Sequence, residues 1–281
     1  INWSTGNKLT LNASSQLDIT KSLVMTGTTF DGTEVLNITA PIINITASTD
    51  AGANLTSGDI SATASNTLLL TGATTGTSQL TTADGDVTIA FRQHLKLRGS
   101  GGSATISGET TTINSQSAGT GDISIRGEAC GTSTIVGSTA VTIGTTTSVD
   151  DIEVIAGACG SGLESGITGG TITLNAAGDL LVKGGASGTG NIGIIKTLAG
   201  TQKDITITAH SIHLLAGAAG TNNSARILNS SNDGTVTATT TLDLQLTAGG
   251  TSTTSSIAEI YSKSNTFTVG RDFQMNGGGG V

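Results

Sequence analysis

Short runs in which apolar and polar residues alternate, each closed by glycine or alanine, recur along the whole chain. Clear examples are Leu95–Gly99, Ile123–Gly127 and Leu180–Gly184. Alternation with a period of two residues is typical of a β-strand that buries one of its faces. From Gly72 onward the closing glycines recur every 27 to 33 residues, so the pattern indicates a structural repeat.

Further short apolar runs lie before and after these segments. Val87–Ile89 and Val141–Ile143 precede a closing segment, and Ile192–Ile194 and Ile227–Leu228 follow one. Glycine, asparagine, aspartate, serine and threonine separate the runs, which is typical of turns. Each repeat therefore contains about three strands, and no segment has the apolar period of an α-helix.

These strands predict an all-β fold, a parallel β-helix (β-solenoid) of about ten coils with three short strands per coil. A single coil cannot bury its apolar face alone, so its stability has to come from stacking on its neighbours. A β-sandwich would need hairpins and Greek-key connections. It would not predict one strand-glycine unit repeated about ten times.

The repeat also predicts how the chain is organised. Residues 1–281 are expected to form a single continuous solenoid, with less regular coils over residues 1–71 and coils of about 27–33 residues over 72–281. The chain opens on Ile1 without an initiator methionine and ends on Gly277–Val281. We therefore expect it to be a segment of a longer protein.

Equivalent inward residues of successive coils are predicted to stack as a core ladder, with neighbours about 4.8 Å apart. Their polar neighbours, such as Lys96 and Ser124, are predicted to point outward because side chains alternate along a strand. The core ladder consists of Leu70, Leu97, Ile125, Val154, Val182, Leu214, Leu246 and Met275.

Composition and charge restrict the partners of such a solenoid. Charged residues make up 11% of the chain and the formal net charge is −8, which argues against nucleic acid and anionic lipid as partners. No apolar run approaches the length of roughly 20 residues that a membrane-spanning helix needs, so no membrane insertion is expected.

The first twenty residues carry a family resemblance. Ile1-Asn2-Trp3-Ser4, Leu9–Ala13 and Leu17–Ile19 resemble a motif of filamentous-haemagglutinin-like adhesins and related large exoproteins, in which Ile-x-Trp precedes Leu-Thr-Leu-x-Ala and Ile-x-Ile. The resemblance implies a right-handed β-helix of the two-partner-secretion or autotransporter-passenger type. It also implies an extracellular, cell-surface adhesin, fibre or toxin-delivery stalk. The family's export-recognition segment is not evident in this sequence.

Two cysteines lie in matching contexts, Ala129-Cys130-Gly131 and Ala158-Cys159-Gly160, one coil apart. Stacking of the coils would bring their Cα atoms within the distance range of a disulfide, about 4.4–6.8 Å. Parallel Cβ directions are poor disulfide geometry, however, and favour two stacked, buried thiols. The sequence leaves both states open.

Residues that could carry chemistry are scarce, and we assign no catalytic, cofactor-binding or metal-ligating residue. Asp150, Asp151 and Glu153 form the densest acidic group, which could serve glycoside hydrolysis or calcium binding. The chain has only one Trp, one Tyr and four Phe to stack on a sugar, so we interpret Asp150 and Asp151 as turn residues. His94, His210 and His213 are interpreted as surface histidines.

The leading hypothesis is therefore an extracellular structural or adhesive rod, not an enzyme. It would associate with copies of itself into an end-to-end or lateral filament, or bind a host-cell or neighbouring-cell surface or glycan. One alternative is a polysaccharide-active β-helix, a lyase, hydrolase or tailspike-like protein. Threonine runs such as Thr110–Thr112 and Thr239–Thr241 suggest a second alternative, an ice-binding solenoid. Ice binding needs a strictly periodic threonine array, and the unequal coil lengths argue against it.

Overall fold

The computed structural model describes residues 2–4, 8–26, 34–48, 52–82, 84–200, 203–231, 233–249 and 256–277. These residues form an all-β parallel solenoid of about 9 turns, close to the predicted ten. The strands are β1 (Asn2–Ser4), β2 (Leu9–Asn12), β3 (Gln16–Ile19), β4 (Leu23–Thr26), β5 (Val35–Thr46), β6 (Ala53–Ser57), β7 (Asp59–Gly72), β8 (Ser78–Thr82), β9 (Val87–Phe91), β10 (His94–Ser100), β11 (Ser103–Ser115), β12 (Asp122–Glu128), β13 (Thr132–Ile143), β14 (Ile152–Ile155), β15 (Glu164–Asn175), β16 (Leu180–Lys183), β17 (Ile192–Thr197), β18 (Ile205–Ala209), β19 (Ile212–Leu215), β20 (Ala225–Leu228), β21 (Thr235–Thr240), β22 (Leu244–Thr247), β23 (Ala258–Tyr261), β24 (Ser264–Val269) and β25 (Phe273–Asn276).

Each coil adds one strand to each of three parallel faces. Face 1 contains β3, the second halves of β5 and β7, then β10, β12, β14, β16, β19, β22 and β25. Face 2 contains β1, β4, β6, β8, the first halves of β11, β13 and β15, then β17, β20 and β23. Face 3 contains β2, the first halves of β5 and β7, β9, the second halves of β11, β13 and β15, then β18, β21 and β24.

The core ladder runs along face 1. Every consecutive pair from Leu70 to Met275 is in register between neighbouring strands. The side chains from Leu70 to Leu214 are fully buried, and Leu246 is 7% exposed. The prediction of a buried Met275 is wrong, because its side chain is 70% exposed and no described strand covers β25 on its far side.

Buried serines satisfy the backbone where the chain turns from face 1 to face 2. Ser133 Oγ accepts the N–H of Gly99 at 2.8 Å and donates to the carbonyl oxygen of Arg126 at 2.7 Å. Ser78 makes the same kind of contact with the carbonyl oxygen of Thr71. Such an inward hydroxyl replaces the strand partner that the backbone loses at the corner, and buried backbone groups need such partners.

Unequal coil lengths are absorbed by the connections between faces, and those between face 1 and face 2 include the longest. Two residues separate β10 from β11, whereas residues 156–163, 184–191 and 216–224 connect the strands in later coils. The longer loops stack on one another in a common conformation, since Gly160, Gly188 and Gly220 have φ angles of +83°, +84° and +84°. In the same coils, the strands of face 3 stay in continuous register with one another.

Asparagine side chains fix this stack of loops from the inside. Asn191 is fully buried, and its Nδ2 donates to the carbonyl oxygen of Ser187 at 2.9 Å. Its backbone N–H donates to Oδ1 of Asn223, also at 2.9 Å. Asn223 in turn donates to the carbonyl oxygen of Ala219 at 2.7 Å. The buried amides therefore tie each loop to the next one in the stack.

Candidate functional site

Two outer surfaces of the rod differ sharply in chemistry. Face 1 carries a shallow groove of about 580 Å³, which we call the charged groove. Most of the outward side chains that line it are ionisable, although charged residues are rare in the chain as a whole. The ionisable residues of the charged groove are His94, Lys96, Arg98, Asp122, Arg126, Asp151, Glu153, Asp179 and His213.

The register separates the two signs of charge within the groove. Asp122 pairs in register with His94, and Arg126 pairs with Arg98, four residues further along the same strands. Four residues of strand span about 13 Å, so acidic and basic edges face each other across the groove. Asp151 and Asp179 continue the acidic edge, and their carbonyl oxygens accept the N–H groups of Ile123 and Ile152. The groove floor includes the apolar Leu181 and Leu215.

Ion pairs within the groove cross from coil to coil. Arg126 Nε donates to Oε2 of Glu153 at 2.9 Å. His94 Nδ1 lies 3.4 Å from Oδ2 of Asp122, and Arg98 Nε lies 3.5 Å from Oε1 of Glu128. These pairs are partly exposed to solvent, so each contributes little to stability and remains accessible to a charged ligand.

The acidic residues singled out in the sequence, Asp150, Asp151 and Glu153, lie at or next to this acidic edge. Asp151 and Glu153 bind neighbouring groups of the protein. Asp151 Oδ1 accepts the backbone N–H of Asp179 at 2.7 Å, which agrees with a turn role. Glu153 is held by Arg126. Partial burial raises the pKa of the Asp150 carboxyl, and the negative charges of Asp151, Asp122 and Asp179 raise it further. Negative charge at this edge is therefore incompletely compensated.

The three histidines also belong to this side of the rod. His213 points outward on face 1, where its Nδ1 lies 3.1 Å from Oε1 of Gln245. His210 lies at the preceding corner, with its Nδ1 3.4 Å from Oδ1 of Asp179. Among the described residues, no three or more histidines, cysteines or carboxylates are grouped closely enough to hold a metal ion.

Face 3 has the opposite chemistry. Its central outward position is threonine in seven successive coils, each in register with the next. We call this row the threonine column, and it consists of Thr88, Thr112, Thr142, Thr173, Thr206, Thr237 and Thr266. The hydroxyl of Thr142 donates to that of Thr112 at 3.1 Å, so the hydroxyls of these two coils are hydrogen-bonded to each other.

The apolar runs of the sequence locate part of this column. Val87–Ile89 and Val141–Ile143 place Thr88 and Thr142 at the centre of a strand, whereas the corresponding run in the last coil, Phe267-Thr268-Val269, places Thr268 there. The structure aligns Thr266 with Thr237, and Thr268 with Thr239 in a second row. The number of residues between face 3 and face 1 varies from coil to coil, which conceals the column when coils are aligned on face 1.

The two cysteines form a disulfide, the alternative that the parallel Cβ directions were expected to disfavour. Their Cα atoms lie 4.9 Å apart, and 29 positions separate them in the sequence. Cys130 follows Ala129, whose φ of 49° is unusual for a residue with a side chain. The bond joins the loops of two neighbouring coils beside the charged groove.

Reducing this disulfide is expected to lower the free energy of unfolding by about 3 to 4 kcal/mol, because the bond closes a long loop in the unfolded chain. Chemical denaturation with and without reductant measures the difference. The double variant Cys130→Ser/Cys159→Ser serves as the control and should not respond to reductant. Alkylation of two thiols in the folded, unreduced chain would contradict the disulfide.

Comparisons of the chain with protein-family models, with curated proteins and with solved structures found no match. The described residues contain no helix of the length and apolar character needed to span a membrane.

Proposed function

We propose that the chain is an extracellular rod that serves as a fibre or adhesive stalk. The observation that carries this proposal is the unbroken parallel register of the core ladder from Leu70 to Met275. A stack in which every coil is bonded to the coils above and below is stiff and elongated. A rod of this kind is suited to holding a binding surface away from the cell that carries it.

The disulfide between Cys130 and Cys159 supports the extracellular part of the proposal. Structural disulfides form and persist in oxidising compartments and are rare in the reducing cytosol. The motif of residues 1–20 further supports a stalk of the filamentous-haemagglutinin-like type, exported as that family is.

The charged groove is the surface that we propose for adhesion. It collects ionisable side chains of both signs on a molecule that is otherwise poor in charge, and its apolar floor is partly accessible. A charged cell-surface glycan fits such a surface, because its acidic groups would meet the basic edge formed by Lys96, Arg98 and Arg126. The proposed role is non-catalytic, because the carboxylates of Asp151 and Glu153 in the groove are held by a backbone N–H group and by Arg126.

Immunogold electron microscopy on intact, unpermeabilised cells tests the location. Antibody against this chain should label thin fibres at the cell surface. Label that appears only after permeabilisation would reject an extracellular rod.

Removing cations from the groove is expected to weaken binding to charged glycans. The variant Lys96→Ala/Arg98→Ala should bind an array of acidic glycans more weakly than the parent chain, with a reduced salt dependence. Lys196→Ala/Arg226→Ala removes two cations from face 2, where they pair with Glu164 and Glu259, and is the charge-matched control. Equal glycan binding by all three proteins, or binding by none, would reject the groove as the adhesive surface.

A further inference from the structure

The threonine column is more regular than the composition of the chain explains. Threonine accounts for 52 of the 281 residues, fewer than one in five. Seven successive threonines at one structural position are therefore not expected from abundance alone. Six register pairs, from Thr88–Thr112 to Thr237–Thr266, link the column without an interruption.

The other two faces provide an internal comparison. Threonine favours β-strands because its branched side chain fits a pleated surface, and that preference acts on all three faces alike. Over the same seven coils, the central outward row of face 1 contains no threonine. The aligned row of face 2, in which Gly166 and Ile194 are buried, contains two. The face 1 row reads Lys96, Ser124, Glu153, Leu181, His213, Gln245 and Gln274, and the face 2 row reads Gln79, Thr105, Thr134, Gly166, Ile194, Arg226 and Glu259. The enrichment in threonine is therefore specific to face 3.

The paired strand segments of face 3 are also free of charge along this length. From β9 to β24 they contain no aspartate, glutamate, lysine, arginine or histidine, and the carboxylates of Asp86, Glu109 and Asp204 lie at the corner that precedes them. What the face offers to solvent is a set of hydroxyl and methyl groups, joined in a second row by Thr208, Thr239 and Thr268. Thr88, Thr206 and Thr266 of the column are exposed, and its other members are half-buried. In the second row, Thr208 and Thr268 are exposed and Thr239 is half-buried.

The spacing of these groups is set by the fold. Neighbouring coils lie about 4.8 Å apart, and residues two positions apart along a strand lie about 6.6 Å apart. In the three coils that contain Thr208, Thr239 and Thr268, the two rows thus form a two-dimensional array of hydroxyl and methyl groups. In earlier coils the column continues alone, beside Ala90, Asn114 and Asn175 in the second row. An array of this kind can match a ligand whose own surface is periodic, such as a crystal face, because each added coil repeats the same contact.

We propose that face 3 is an ice-binding surface. Uncharged hydroxyls at a fixed spacing hold water molecules in rows, and the adjacent methyl groups bind no water of their own that would disturb those rows. A charged side chain would orient its own hydration shell instead, which agrees with the exclusion of charge from this face. The unequal coil lengths do not oppose the proposal, because the loops absorb them outside face 3.

A polysaccharide is a less suitable ligand for this face. Stacking on sugar rings uses aromatic side chains, and the described outward positions of both threonine rows contain none. The surface also lacks the amides and charges that usually fix a sugar's orientation, apart from Asn114 and Asn175 in the second row.

Thermal hysteresis, the gap between the melting and freezing temperatures of a seed ice crystal, tests the proposal. The chain is expected to produce hysteresis and to shape the crystal. The variant Thr173→Lys/Thr206→Lys places two bulky cations in the column and should lose most of this activity. The variant Thr105→Lys/Thr134→Lys makes the same change at neighbouring outward positions of face 2 and should retain it.

Circular dichroism melting of each variant establishes that it is folded before its activity is compared. Absence of hysteresis and ice shaping with the folded parent chain would overturn the proposal, as would equal losses in the two double variants. Retention of the chain by crystalline cellulose or chitin without any effect on ice would also overturn it. The outcome is independent of the adhesive proposal, which rests on the opposite chemistry of face 1.

Discussion

Replacing Leu97 with aspartate is expected to lower the free energy of unfolding by several kcal/mol, on the order of 5. Leu97 is fully buried between Leu70 and Ile125, and the described structure offers no cation beside it to pair with a carboxylate. The substitution also removes the packing contacts that join the coil to both neighbours, which are the main source of stability in a stacked fold. Chemical denaturation followed by circular dichroism measures the loss.

The neighbouring residue gives the control for this experiment. Lys96 lies one position earlier on the same strand and points outward into the charged groove. We expect Lys96→Asp to change the stability by about 0.5 kcal/mol or less, as is usual for surface substitutions. Similar denaturation midpoints for Leu97→Asp and Lys96→Asp would show that the inward register is wrong.

Replacing Asn223 with aspartate is expected to cost about 3 kcal/mol or more at neutral pH. The change leaves an acceptor for the N–H of Asn191 but removes the amide that donates to the carbonyl oxygens of Ala219 and Gly188. A buried carboxylate would then face two carbonyl oxygens. Because burial raises the pKa of such a carboxyl, its protonation at low pH should recover part of the lost stability.

Asn222 provides a matched comparison on the adjacent position. It is exposed and has a φ of 57°, a conformation that asparagine and aspartate both tolerate. We therefore expect Asn222→Asp to be nearly neutral. If the two variants melt at the same temperature across the pH range, the asparagine pair does not hold the loop stack together.

The core ladder could be predicted from the sequence because its signal is local. Alternation of apolar and polar residues fixes which side chains of a strand point inward, and the closing glycines align one strand with the next. Leu97, Ile125 and Val154 therefore fall into register by inspection. Met275 shows the limit of the method, since its exposure depends on what lies beyond its own coil.

The asparagine pair and the threonine column could not be found in the same way. Asn191 and Asn223 are buried because of the loops that stack around them, and a polar residue in a glycine-rich loop is ordinarily interpreted as exposed. Thr112 and Thr142 are separated from the following face 1 strands by longer turns than Thr88 or Thr173. Only the strand pairing shows that they share one row.

The confinement of the length variation to the connections between faces has a consequence for how such a chain diverges. Insertions and deletions in those connections leave the rows on face 3 in place, so they can accumulate without disturbing the threonine column. Duplication of a complete coil would likewise extend every row by one member, since each coil contacts only the coils beside it. The length of the rod and the size of its threonine array are therefore coupled, because both increase by one unit with each added coil.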